Sequence, residues 1–204
     1  MRTRKTAALL FVDMLGVRAT WLRNGRKGAE ESFRRFQDCI QGALKPCTKS
    51  QILEAVMESD SAIIRCSTAD TAVLLACRLF KKSFNQGSKN WHSQRRVWLR
   101  GVILPISRSA QFRQCAEISR HQVPLINYSY HKKVLDAISI EKSGFRGMRC
   151  LIKKICVTEA LQYKYAFPMG REALPRFRHL QHSTYPRRIA KDFQDILWMN
   201  PHKN

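Results

Sequence analysis

The sequence predicts an α+β domain in the order strand, helix, strand, strand, helix, strand: an antiparallel sheet flanked by helices, followed by further elements. Three observations predict it. Apolar runs of strand length fall at 7–15, 51–58, 61–66 and 96–104. Apolar residues at helical spacing fill two stretches between them. The chain has 204 residues, 44% of them hydrophobic, enough to bury one core without staples.

The run 7–15 is continuous apart from Asp13 and reads as a buried strand ended by Gly16. Residues 23–28 read as a basic loop. Phe33, Phe36, Ile40 and Leu44 recur every three or four residues, so 29–44 is a helix, stopped by Pro46. Residues 51–58 and 61–66 form a hairpin that turns at Ser59-Asp60. Ser67 or Thr68 caps the next helix, which carries Ala69, Val73, Ala76, Cys77, Phe80 and Phe84 on one face. A fourth strand at 96–104 is closed by Pro105. Beyond it, 109–121 reads as a helix, 125–127 as a short strand opened by Pro124, and 130–138 as a helix. Residues 149–157 read as a strand with a hairpin partner at 163–168, and 187–199 as a final amphipathic helix with Ile189, Phe193, Ile196 and Leu197 inward. The change of composition divides the chain into a domain at 1–165 and a basic C-terminal extension at 166–204.

Lys and Arg number 37 against 15 Asp and Glu, a net charge of +22. Such a surface attracts polyanions: nucleoside triphosphates, nucleic acid or anionic membranes. The basic residues are spread along the chain, and no zinc finger, basic zipper or RNA-recognition signature is visible. Seven cysteines, an odd number without a CxxC pair, imply buried free thiols in a reducing cytoplasm. The start imitates a signal peptide, but Asp13 interrupts its apolar run and no cleavage site follows. No stretch approaches the ~18 apolar residues of a membrane span, so a cytoplasmic protein without membrane insertion is expected. The six histidines show no ligand spacing.

With so few acidic residues, Asp13 inside an apolar strand is informative. A buried carboxylate needs a partner. In βαββαβ topology the first and third strands are central neighbours, and Asp60 starts the third, so the two carboxylates can meet at one edge of the sheet. Facing carboxylates repel unless a cation lies between them, and hard oxygen ligands suit Mg²⁺ or Mn²⁺. Glu58, two residues from Asp60, is either a further oxygen donor or a hairpin residue facing water. The alternative for Asp13 is a turn cap or an arginine partner; spacing alone leaves both open.

Phe11-Val12-Asp13-Met14-Leu15-Gly16 resembles the first metal motif of class III nucleotidyl cyclases, and Glu58-Ser59-Asp60-Ser61 their second. Leu99-Arg100-Gly101-Val102-Ile103 is similar to the core strand that follows in that family, and 112–118 to its dimer-interface helix. The matches keep their order from residue 7 to about 140. The FVDxLG form and the length resemble most the stand-alone pyrimidine cyclases of Pycsar antiphage defence. The resemblance implies a ferredoxin-like core that converts UTP, or less favourably CTP, to the 3′,5′-cyclic monophosphate. It implies two divalent cations, Mg²⁺ or Mn²⁺, on Asp13 and Asp60, and phosphates cradled by the backbone of Met14, Leu15 and Gly16. Arg113 falls where many adenylyl cyclases carry an Asn that orients the sugar and transition state. Arg100 would reach base or phosphates. A head-to-tail homodimer with composite sites follows.

Departures from the family argue against ATP. Val56 stands near the place of an adenine-reading Lys, Glu117 near that of a transition-state arginine, Ser59 replaces a Gly before Asp60, and Pro105 replaces another. Two rivals remain: a basic RNA-binding module on the same scaffold, with nucleic acid the less favoured partner, and an inactive cyclase fold.

Overall fold

A computed structural model describes residues 6–85, 97–110, 113–118, 124–129, 131–143, 147–158, 176–180 and 185–197. The central strand is β1 (Ala7–Leu15). It pairs antiparallel with β3 (Ser61–Cys66) on one side and β4 (Trp98–Ile106) on the other. With β2 (Ile52–Glu58) beyond β3, the order β2-β3-β1-β4 is that of a βαββαβ core, as the sequence predicts. β1 reads as an apolar run broken only by Asp13 because both of its faces are covered. Ala8, Leu10, Val12 and Met14 join a cluster with Phe36, Ile40, Val73 and Phe80 of α1 (Val17–Leu44) and α2 (Ala69–Asn85). Ala7, Leu9 and Phe11 join another with Val134 and Ala137 of α3 (Lys132–Glu141) and Ile189 of α4 (Arg187–Asp192).

The basic loop expected at 23–28 is instead a single break: α1 runs from Val17 to Leu44 and is interrupted at Gly25, whose φ is 62°. Glycine carries that conformation without a Cβ clash. The expected cap of α2 is present, Thr71 N–H donating to Thr68 Oγ1 at 3.1 Å. Pro105 lies within β4 rather than closing it, because β7 (Arg149–Lys153) pairs β4 only over Arg100 to Ile103 and leaves an edge beyond.

Two stretches expected to be helical, 113–118 and 193–197, are strands. Residues 113–118 form β5 (Arg113–Ile118), paired antiparallel with β6 (Pro124–Ser129) in a separate two-stranded sheet. Over six residues an apolar pattern does not separate the two periods, and the hairpin partner decides. The last expected helix stops at Asp192, and Phe193–Leu197 becomes β9, inserted between β7 and β8 (Arg176–His179). Six helical residues are marginal alone, whereas β9 gains two ladders. Among the described residues the sheet has seven strands, β2-β3-β1-β4-β7-β9-β8, with β4 and β7 parallel across the β5–β6 and α3 crossover. The strand expected over 163–168 lies outside the described residues.

Cys39, Cys66, Cys150 and Cys156 are buried free thiols. Burial pushes Cys66 and Cys156 up to about 12, which leaves them protonated and inert at neutral pH. No helix among the described residues is long and apolar enough to cross a membrane.

Candidate active site

The register of the core lines up one polar row at an end of the sheet. Glu58 stands opposite Ser61, Ser61 opposite Asp13, Asp13 opposite Arg100, and Arg100 opposite Arg149. Directly opposed residues share a face, so all five belong to the face that α3 covers. The neighbouring row, Val56, Ile63, Phe11, Val102 and Leu151, is apolar.

Asp60 joins the row through the β2–β3 turn. Ser59 takes a left-handed φ of 49°, and the Asp60 carbonyl accepts the Met14 N–H at 2.7 Å. That bond ties the end of β1 to the turn and brings Asp13 and Asp60 to the same corner. Just past it, Gly16 has φ 80° and starts α1. Of the three backbone groups expected to cradle phosphates, Met14 is already committed to Asp60, which leaves Leu15, Gly16 and the first turn of α1.

Asp13 is half-buried and forms no ion pair among the described residues. Burial above all, then the charge of Glu141, then that of Asp60, push its carboxyl up to about 7; Lys142 and Arg100 oppose this. A divalent cation would relieve that strain. The donor set fits one: two carboxylate oxygen donors suit an ion that takes its remaining ligands from water and phosphate. Among the described residues no group of three His, Cys, Asp or Glu could hold a metal by itself.

Arg100 lies on the row as expected, with its guanidinium turned to Glu141, Nη1 donating to Oε1 at 3.2 Å. Val56 is half-buried in β2, opposite Ile63, on the same face and one row from Glu58. Arg113 is not on a helix and not in the row; it lies on β5, opposite Ser129. Glu141 is the residue the sequence reading missed. It ends α3 and is 5% exposed. The helix expected over 130–138 stops short of it; the observed helix runs on to Glu141, which puts an acid at a C-terminal end where the helix dipole disfavours a negative charge.

At the β7 end of the row, Arg149 donates to Asp195 Oδ2 at 3.2 Å and Arg178 to the same oxygen at 2.9 Å, with Tyr185 hydrogen-bonded to Arg149. Asp195 thereby fastens β8 and β9 to β7.

No protein-family model and no curated protein matches the sequence. Solved structures do match the fold. An adenylyl cyclase, CyaB from P. aeruginosa, has a TM-score of 0.59 at 11% identity, over 98% of this chain and 97% of that one. An adenylate cyclase from Trypanosoma brucei has 0.59 at 12% identity, over 100% and 94%. The guanylate cyclase domain of RhGC from Catenaria anguillulae, solved in complex with GTP, has 0.54 at 11%, over 95% and 94%. The protein has the fold of the class III nucleotidyl cyclase domain.

Proposed function

We propose that the protein is a nucleotidyl cyclase that converts a pyrimidine nucleoside triphosphate, UTP in preference to CTP, to its 3′,5′-cyclic monophosphate and pyrophosphate. The product would serve as a second messenger in antiphage defence. The observation that carries the reading is the pairing of Asp13 with Asp60 at one corner of a cyclase fold, held by the Met14–Asp60 backbone bond at 2.7 Å.

Asp13 and Asp60 would hold two Mg²⁺ or Mn²⁺ ions, which when bound supply charge neutralisation to the triphosphate and acidity to the ribose 3′-hydroxyl. The N–H groups of Leu15, Gly16 and the first turn of α1 orient the phosphates. Arg100 is the basic side chain nearest in register to Asp13 and is assigned to base or phosphates. Val56 offers an adenine no side-chain hydrogen bond, which argues against ATP. Arg113 would act on a site shared with a second copy in a head-to-tail homodimer.

Both faces of β1 are covered by helices, so its sheet lacks the open face on which RNA-binding relatives of this scaffold stack bases. The test is incubation of the purified protein with each of four nucleoside triphosphates and Mn²⁺, with products identified by mass spectrometry. Cyclic UMP as the main product supports the reading. Cyclic AMP or GMP overturns the pyrimidine assignment, and no cyclic product from any of the four overturns the enzyme.

A further inference from the structure

Asp13 and Arg100 are opposed directly across β1 and β4, a position in which opposite charges ordinarily pair. They do not. Arg100 Nη1 donates to Glu141 at 3.2 Å and Nε to the Gly147 carbonyl at 3.4 Å, which draws the guanidinium toward the end of α3. Glu141 pays twice for its place, by burial and by facing the negative end of its own helix. Nothing in the packing of α3 requires an acid there, since Val134 and Ala137 carry its contact with the core.

We propose that Glu141 is a positioning residue: by holding the Arg100 guanidinium it keeps that cation off Asp13, so that Asp13 remains an open anionic ligand for a divalent ion. The proposal rests on the reading of Asp13 and Asp60 as a cation site. Without Glu141 the side chain of Arg100 has Asp13 as its cross-strand acid, and an arginine bound there would compete with the ion.

The test is a double-mutant cycle in Mn²⁺ affinity, read by electron paramagnetic resonance of free Mn²⁺ without nucleotide. The proteins are the wild type, Glu141→Gln, Arg100→Gln and the double variant, each checked for folding by circular dichroism. Glu141→Gln should weaken Mn²⁺ binding about tenfold, the usual scale for a group that supports a metal ligand. Arg100→Gln alone should change it little, and in the Glu141→Gln background it should restore most of the loss. That non-additivity marks positioning. An equal gain from Arg100→Gln in both backgrounds means plain charge addition and overturns the proposal, as does unaltered affinity in Glu141→Gln. Glu141→Asp covers the case in which Glu141→Gln does not fold: it keeps the charge and shortens the reach, so weaker Mn²⁺ binding supports positioning and unchanged binding overturns it. Wild-type protein that binds no Mn²⁺, or binds it equally after Asp13→Asn, overturns the cation site itself and the proposal with it.

Discussion

The backbone N–H of Met14 donates to the carbonyl of Asp60 across 2.7 Å, and this one bond couples the two halves of the candidate site. Asp13 precedes the donor and Asp60 carries the acceptor, so the backbones that bear the two carboxylates are held together by a main-chain bond. The left-handed Ser59 aims the turn that makes the bond possible.

Asp13→Asn or Asp60→Asn should reduce cyclic nucleotide formation to background while far-UV circular dichroism stays unchanged. Each keeps the side-chain volume and removes one charged oxygen ligand. Full activity in either variant would rule out the carboxylate pair.

The same Asp13→Asn variant should be more heat-stable than the metal-free wild type at pH 8 and equal to it at pH 3. The sign follows from a carboxyl raised from 3.8 to about 7 in the fold. Below 3.8 both states hold the proton. As pH rises from there, the unfolded chain ionises first, so the wild type loses stability until about pH 7 and then levels off. With solvent screening of the partly exposed carboxyl discounted, a rise of ~2–4 °C is expected, the shift that about 1 kcal/mol gives a domain of this size. Differential scanning calorimetry across pH 3–8 measures it. A lower melting temperature for Asp13→Asn at pH 8 would contradict the burial argument.

Gly101→Ala should destabilise the protein by ~1–3 kcal/mol, as overpacking does. A Cβ at this position would lie 3.0 Å from Cys150 Sγ, 3.3 Å from the Phe11 carbonyl oxygen and 3.4 Å from Phe80. Two of the three neighbours are pinned in the sheet between β1 and β7. Urea unfolding gives the value, and a midpoint equal to that of wild type would mean that β4 shifts freely.

Mixing Asp13→Asn with Arg113→Ala protein should recover part of the activity that each lacks alone, because one composite site per mixed dimer keeps both residues. Heterodimers are verified by native mass spectrometry. Verified heterodimers without activity would exclude a shared site and return Arg113 to a structural role in the β5–β6 hairpin.

Asp195→Ala should cost roughly 1–3 kcal/mol, the scale of lost charge-assisted hydrogen bonds, because both arginines keep contact with water once the carboxylate is gone. Asp195 is 2% exposed and accepts from both Arg149 and Arg178. The loss should appear as one cooperative unfolding transition at lower denaturant. Separate melting of the C-terminal strands would show instead that they fold as an independent unit.

The core order β2-β3-β1-β4 and the meeting of Asp13 with Asp60 were determined by the sequence alone. An apolar run broken by one carboxylate, a hairpin turn ending in another, and helical spacing in between are local signals, and the βαββαβ topology joins them. The fates of 113–118 and 193–197 were decided only by tertiary structure. Both segments are short enough to satisfy either period, and the available partner strands, β6 for one and β7 with β8 for the other, chose the strand. Glu141 was likewise out of reach, because its meaning depends on a contact with Arg100 that spans 41 residues of chain. Nothing in the spacing of residues along a chain states which cation a helix end will meet; only the packing of α3 over the sheet does.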